Sequence, residues 1–196
     1  MKNTLLISLF VLSTTLLTSF NTIKENPVED DIEWLDIEEA YRRAQTVPKK
    51  MMIDVYTDWC GWCKVMDRNT FSHPEIKKYL KENFYAVKLN AETKDSIRLG
   101  QQVFKYVASG RRGYNEIAAA LLNNKLSYPT VVFMAENKDG VVVPNPIPGY
   151  QKPEQFIKLL YYFNENHYKT KSFQAFSKTF VSPIKTVTPN QKPAGH

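Results

Sequence analysis

Cysteine is scarce in this chain, with two in 196 residues. Two thiols cannot staple a small disulfide scaffold, and alone they cannot complete a four-thiolate zinc site. Histidine is equally sparse: His73, His167 and His196 have no paired spacing that would supply the missing metal ligands. A basic folded face is also absent. The net charge is +6, but Lys2 is the only charge in residues 1–20, and residues 168–196 carry five lysines and no acid, so residues 21–167 sum to zero. A neutral body with a basic tail argues against a nucleic-acid partner, whose binding domain would gather its basic residues on a folded surface. Internal repeats are absent as well. The chain does have material for a core: 43% hydrophobic and 13% aromatic residues, in a length that fits one domain with flanking segments.

The N-terminal residues read as an address. Lys2 precedes Leu5-Leu6-Ile7-Ser8-Leu9-Phe10-Val11-Leu12 and Thr14-Thr15-Leu16-Leu17, an apolar stretch of about 13 residues. These are the proportions of a secretory signal peptide, whereas a membrane-spanning helix needs about 20 apolar residues. Thr18-Ser19-Phe20 matches a small-x-small cleavage site poorly, which leaves an uncleaved anchor touching the membrane as the alternative. Either way export is expected. In an oxidising compartment two thiols rest as a disulfide unless something keeps them reduced.

Residues 21–35 read as a linker, 36–167 as one domain and 168–196 as a basic, loosely ordered tail to which Phe173, Phe176 and Phe180 offer docking points. Within the domain, Asp36 caps an expected helix carrying Ile37, Ala40, Tyr41 and Ala44 at helical spacing. Met51 to Tyr56 reads as a central strand, apolar on both faces. A helix is expected from about Cys60, another from His73-Pro74 to Glu82, and a strand over Phe84 to Leu89. Residues 94–124 are expected to be helical in two pieces, broken around Ser109-Gly110 and Gly113. Thr130 to Met134 and Val141 to Val143 read as strands joined by the turn Asn137-Lys138-Asp139-Gly140, and Pro153 opens a last amphipathic helix to about Asn164. Strand–helix alternation closed by a hairpin and a helix gives an α/β class with a mixed sheet.

The chemistry concentrates at Trp59-Cys60-Gly61-Trp62-Cys63-Lys64, directly after the central strand and opening a helix. Backbone N–H groups and the positive end of a helix dipole stabilise an anion there, so the Cys60 thiolate is favoured. A thiolate attacks a disulfide, and a second thiol one turn on resolves the mixed disulfide. That makes Cys60 the nucleophile and Cys63, more deeply placed, the resolver. The bland alternatives are a structural disulfide, half a metal site, or two inert buried thiols. A four-residue loop removes only about 2 kcal/mol of unfolded-chain entropy, a weak reason to keep a purely structural bridge. Asp54 interrupts an apolar strand. If buried, desolvation raises its pKa and suits it to proton exchange with Cys63; if at a strand edge, it simply faces water. Lys88 either offsets the Asp54 charge or is solvated, and Trp59 and Trp62 either rim a peptide site or, for Trp59 especially, pack on the core.

The segment Asp54-Val55-Tyr56-Thr57-Asp58-Trp59-Cys60-Gly61-Trp62-Cys63-Lys64 resembles the active-site segment of thioredoxins. More closely, it is similar to exported thioredoxin-like proteins related to the C-terminal domain of the bacterial thiol:disulfide interchange reductase. The resemblance covers roughly residues 36–166. Asp54 matches the family's buried acid, Lys88 the lysine beside it, Tyr128-Pro129-Thr130 the loop whose cis-proline faces the dithiol, and Gly149 a glycine shortly before the last helix. It implies a thioredoxin fold with an added helical insertion before the cis-proline loop. The implied site comprises Cys60, Cys63, Asp54 and Lys88, with Trp59, Gly61, Trp62, Tyr128, Pro129 and Thr130 facing substrate. Gly61-Trp62 departs from the proline that thioredoxins commonly carry between the cysteines, and the stretch from Asn90 to Pro129 is longer than a basic thioredoxin requires.

The expected activity is thiol:disulfide exchange on cysteine-bearing proteins in the reducing direction, in a bacterial periplasm, with a membrane or periplasmic electron donor. The expected redox group is the dithiol itself, with no organic cofactor or metal. A disulfide-donating oxidase or isomerase is the alternative within that class. A binding or assembly module whose dithiol is incidental is the alternative outside it.

Overall fold

The computed structural model describes residues 31–184. The signal peptide and most of the linker, read over residues 1–30, lie outside this range, as does the tail from 185 onward. The central strand β2 (Lys50–Tyr56) pairs parallel with β3 (Phe84–Asn90) on one side and antiparallel with β8 (Thr130–Glu136) on the other. Successive side chains of a strand point to opposite faces, so Met52 joins one hydrophobic cluster while Ile53 and Val55 join the other. Both faces are covered, which is why the strand is apolar apart from Lys50 at its start and Asp54.

The sheet order is β1-β3-β2-β8-β9. One outer strand, β1 (Trp34–Leu35), runs parallel to β3 through Trp34 opposite Ala86 and Leu35 opposite Val87. The domain therefore begins inside the stretch read as linker, with Ile32 already buried. Two apolar residues are too short a run to announce a strand; pairing with β3 creates it. The other outer strand, β9 (Val142–Pro148), extends beyond the expected Val141–Val143 and includes Pro144, Pro146 and Pro148. Prolines at alternate positions can all direct their missing N–H away from β8, which makes them compatible with an edge strand and blunts that edge against further pairing.

One face of the sheet is covered by α1 (Ile37–Thr46) and α4 (Glu116–Leu121), the other by α3 (Pro74–Asn83) and α5 (Pro153–Asn164). Asp36 caps α1, its Oδ1 accepting from the Glu39 N–H at 2.7 Å. The dithiol helix α2 (Gly61–Met66) runs on into a wider π-helical turn over Asp67–Phe71, which tucks Phe71 into the core.

Two expectations need correcting. The first helical piece of 94–124 is instead a pair of β-ribbons: β4 (Ile97–Leu99) with β5 (Gln102–Phe104), and β6 (Tyr106–Val107) with β7 (Tyr114–Asn115). Gly100, in the left-handed region at φ +59°, turns the first ribbon, and Val103, Phe104, Tyr106 and Val107 favour strand over helix. Only the second piece is helical, as α4. The C-terminal stretch is also more ordered than expected. Helix α6 (Phe173–Thr179) buries Phe176, packs Phe173 and Phe180 against the α5 cluster, and is followed by buried Ile184. The three phenylalanines recur at helical spacing, so the docking points build one face of a helix.

Candidate active site

Cys60 is the N-cap of α2 and its Sγ accepts from the Cys63 N–H at 3.1 Å. The two are joined as a disulfide. Their exposures are nearly equal, 4% for Cys60 and 3% for Cys63, so burial does not distinguish nucleophile from resolver. Their helix positions differ: Cys60 sits at the cap, where a main-chain N–H points at its sulfur, and Cys63 lies inside the first turn.

Above the sulfurs lies an aromatic rim. Trp59 and Trp62 are 52% and 62% exposed, which removes the core-packing alternative for Trp59. Trp59 is nevertheless held from three sides. Its Nε1–H donates to Glu92 Oε1 at 2.9 Å, the Tyr128 ring meets it edge-on at 6.0 Å, and the Arg112 guanidinium lies 4.3 Å from its ring centre. Trp62 leans on Tyr150 at 5.5 Å. Gly61 is exposed, and a Cβ there would meet no neighbour within 4 Å. The peptide bond between Tyr128 and Pro129 is cis. Pro129 is buried and its carbonyl accepts from the Gly149 N–H at 2.8 Å, while Thr130 Oγ1 donates to the Ser127 carbonyl at 2.8 Å. Those two bonds fix the loop from both sides.

A charged cluster lies against the turn that continues the dithiol helix. In the β2–β3 register Asp54 stands opposite Lys88, so both side chains point to the same face of the sheet. Asp54 is 1% exposed; Lys88 Nζ donates to its Oδ2 at 2.7 Å, while Oδ1 has no hydrogen-bond partner among the described residues. Burial is the main influence on this carboxyl and raises its pKa to about 6, against the opposing pull of Lys88. For Lys88, burial pulls the ammonium down, but Asp54 and Asp67 together outweigh it and the net direction is upward. The two directions differ for a physical reason. Lys88 is shared by two carboxylates, whereas Asp54 is almost wholly desolvated and has one cation among the described residues. Both alternatives raised for these residues, a water-facing aspartate and a solvated lysine, are excluded by this geometry.

Sequence reasoning missed Asp67, Trp34, Glu92, Arg112 and Asn115. Asp67 was findable, since it follows Cys63 by four residues and so shares its helix face. The others depend on the ribbons and on β1. Asn115, fully buried, holds the ribbon region to the domain. Its Nδ2 donates to the Thr93 and Asp95 carbonyls at 3.3 and 3.0 Å, and its Oδ1 accepts from the Ile117 N–H at 3.2 Å. Gly113 allows the ribbon to close, because a Cβ there would lie 2.3 Å from the Tyr106 ring and from the Val107 carbonyl oxygen. A cavity of about 960 Å³ lies elsewhere, lined by Tyr41, Lys50, Met51, Met134 and Glu136 among others, and includes none of the site residues.

A disulfide-linked cysteine pair at the start of a helix, a cis-proline loop whose Tyr128 meets the Trp59 next to Cys60, and a buried acid on the central strand are carried here on a mixed sheet covered on both faces. The chain belongs to the thioredoxin-like family, whose profile matches residues 33–135, a span that includes Cys60, Cys63, Asp54, Lys88 and Pro129. Among curated proteins it is similar to the thiol:disulfide interchange protein DsbD of Pectobacterium atrosepticum, 28% identical over 110 residues, 56% of this chain and 15% of that protein. It is also similar to an uncharacterized protein of Caenorhabditis elegans, 29% identical over 77 residues, 39% of this chain and 11% of that protein. Spermatogenesis-associated protein 20 of Homo sapiens matches at 27% over 77 residues, 39% of this chain and 10% of that protein. The matched stretches thus span 10% to 15% of these relatives' own lengths. Among solved structures, a thioredoxin from Thermus thermophilus is 21% identical with a TM-score of 0.49, covering 66% of this chain and 85% of that one.

Proposed function

We propose that this chain is an exported thiol:disulfide oxidoreductase that reduces disulfides in proteins. The observation that carries the reading is the Cys60–Cys63 disulfide at the start of α2, with Tyr128 of the cis-Pro129 loop against Trp59 and the buried Asp54 joined through Lys88 to Asp67 in the continuation of that helix. The likeness of part of the chain to DsbD, named a thiol:disulfide interchange protein, supports it. Export rests on the signal-like sequence of residues 1–20.

In the reduced protein the Cys60 thiolate attacks one sulfur of a substrate disulfide. A Cys60–substrate disulfide forms and the other substrate sulfur leaves as a thiolate. Cys63 then gives its proton to the Asp54 carboxylate, and its thiolate attacks the Cys60 sulfur. The Cys60–Cys63 disulfide forms and the second substrate thiolate departs, so two electrons pass from the dithiol to the substrate. Carboxyls with a pKa near the working pH suit such a step, and burial moves Asp54 in that direction. Trp59 and Trp62 give the approaching peptide an apolar rim, Gly61 leaves room between them, and Tyr128, Pro129 and Thr130 orient its backbone. The dithiol is itself the redox group, and a membrane or periplasmic electron donor restores it.

The test is the equilibrium reduction potential of the Cys60–Cys63 couple against glutathione, followed by Trp59 and Trp62 fluorescence. A value near about −270 mV, with turnover of a disulfide-bonded protein substrate that is lost in Cys60→Ser, is the expected result. A value near about −120 mV would reverse the direction and make the protein a disulfide donor. Unchanged cellular function in Cys60→Ser would leave a binding or assembly module.

A further inference from the structure

Asp54 is not the only carboxylate on Lys88. The same ammonium that donates to Asp54 Oδ2 at 2.7 Å also donates to Asp67 Oδ1. It has little freedom to choose otherwise, because the rings of Trp34, Phe71 and Tyr56 box it in at 4.8, 5.2 and 5.4 Å. Asp67 and Phe71 both come from the widened turn that continues the dithiol helix, so one segment supplies a counter-charge and one wall of the box. The Asp67 N–H in turn bonds back to the Cys63 carbonyl. Side-chain exposure rises along the chain of contacts, from 2% at Asp54 to 24% at Lys88 and 44% at Asp67.

We propose that Asp67 is a positioning residue for the thiol chemistry: held on the solvent side of Lys88, it divides that ammonium with the buried Asp54 carboxylate. The proposal rests on the reading of Asp54 as the acceptor of the Cys63 proton. One lysine facing one aspartate would be a balanced pair. One lysine facing two aspartates leaves one negative charge in excess, and the group least able to carry it is the one most removed from water. The second carboxylate therefore favours the protonated form of Asp54, in the same direction as burial. The other titratable groups around the cluster do not relieve this. The Tyr56 phenol on β2 is raised by burial and stays neutral, and Asp58 beyond it adds negative charge.

The experiment titrates the Asp54 carboxyl carbon by NMR in the full oxidised protein, comparing the wild type with Asp67→Asn and Asp67→Glu. The pH dependence of mixed-disulfide release is measured on the reduced forms. Asp67→Asn is expected to lower the Asp54 midpoint by about one pH unit and to move the acid limb of the release profile with it. Asp67→Glu keeps a carboxylate at the position and is expected to stay near the wild type. A midpoint that is unmoved or rises in Asp67→Asn overturns the proposal. So does a uniform loss of rate at every pH without a shift, which is what a merely structural Asp67 would give. If the midpoint falls but the release profile does not follow, the coupling stands and the role assigned to Asp54 fails.

Discussion

The two sides of the dithiol are built on opposite principles. The rim above it is aromatic and open, with Trp59 and Trp62 more than half exposed and held by side chains from separate elements. The floor below is charged and closed, with Asp54 and Lys88 aligned by sheet register and walled by three rings. Exposed groups contribute little to stability and remain free for a partner, whereas a buried carboxylate alters both stability and proton affinity. Substitutions on the floor should therefore be felt as pH dependence and stability, and those on the rim as changes in substrate affinity.

The largest effect is expected between the two sides, at the sulfurs. Cys60→Ser should reduce turnover by on the order of a thousandfold or more, and Cys63→Ser should instead accumulate a substrate-linked species, visible as a mass increase that a small thiol reverses. Next comes the floor. Asp54→Asn should lower the rate of mixed-disulfide release by about 10²-fold, measured by rapid mixing at pH 7. The same change should stabilise the protein. The folded-state pKa of about 6 lies above the ordinary 3.8, so the folded chain binds more protons than the unfolded one between these values. Asp54 thus supports the fold below about pH 4, and that contribution is lost as pH rises to about 6. Asparagine cannot ionise, so above pH 6 the variant should gain on the order of 3 kcal/mol in denaturant unfolding, with the wild-type slope between pH 4 and 6 flattened.

Smaller effects are expected at the rim and its support. Gly113→Ala forces a methyl group against the Tyr106 ring and the Val107 carbonyl and should cost about 1–3 kcal/mol in thermal or denaturant unfolding. By disturbing the turn that carries Arg112, it should also change Trp59 fluorescence. Trp62→Ala should change stability by less than about 0.5 kcal/mol and raise the KM for a protein disulfide a few-fold with kcat retained. A rim substitution that shifted the pH profile, or a floor substitution that changed only KM, would break the comparison.

Much of this could be read in the sequence because the signals are local. Pro153 at a helix start, Asp36 at a cap, the turn Asn137 to Gly140 and the Cys60–Cys63 spacing each act through neighbours in the chain. The helical reading of residues 97–107 failed because ribbons two or three residues wide leave no period to detect. Trp34 and Leu35 looked like linker because their partner strand begins some 50 residues later.

By itself the sequence determined the fold class, the order of the main strands and helices, and the placement of a thiol pair at a helix start. Those depend on residue type and short-range spacing. Only the tertiary structure decided that Asp54 is buried rather than water-facing, that Lys88 answers two carboxylates, that Trp34 closes a box around it, and that the ribbons bring Arg112 onto Trp59. Each of these depends on groups distant in the chain meeting where water is excluded. Charge and desolvation are set there by three-dimensional neighbours that no local pattern encodes.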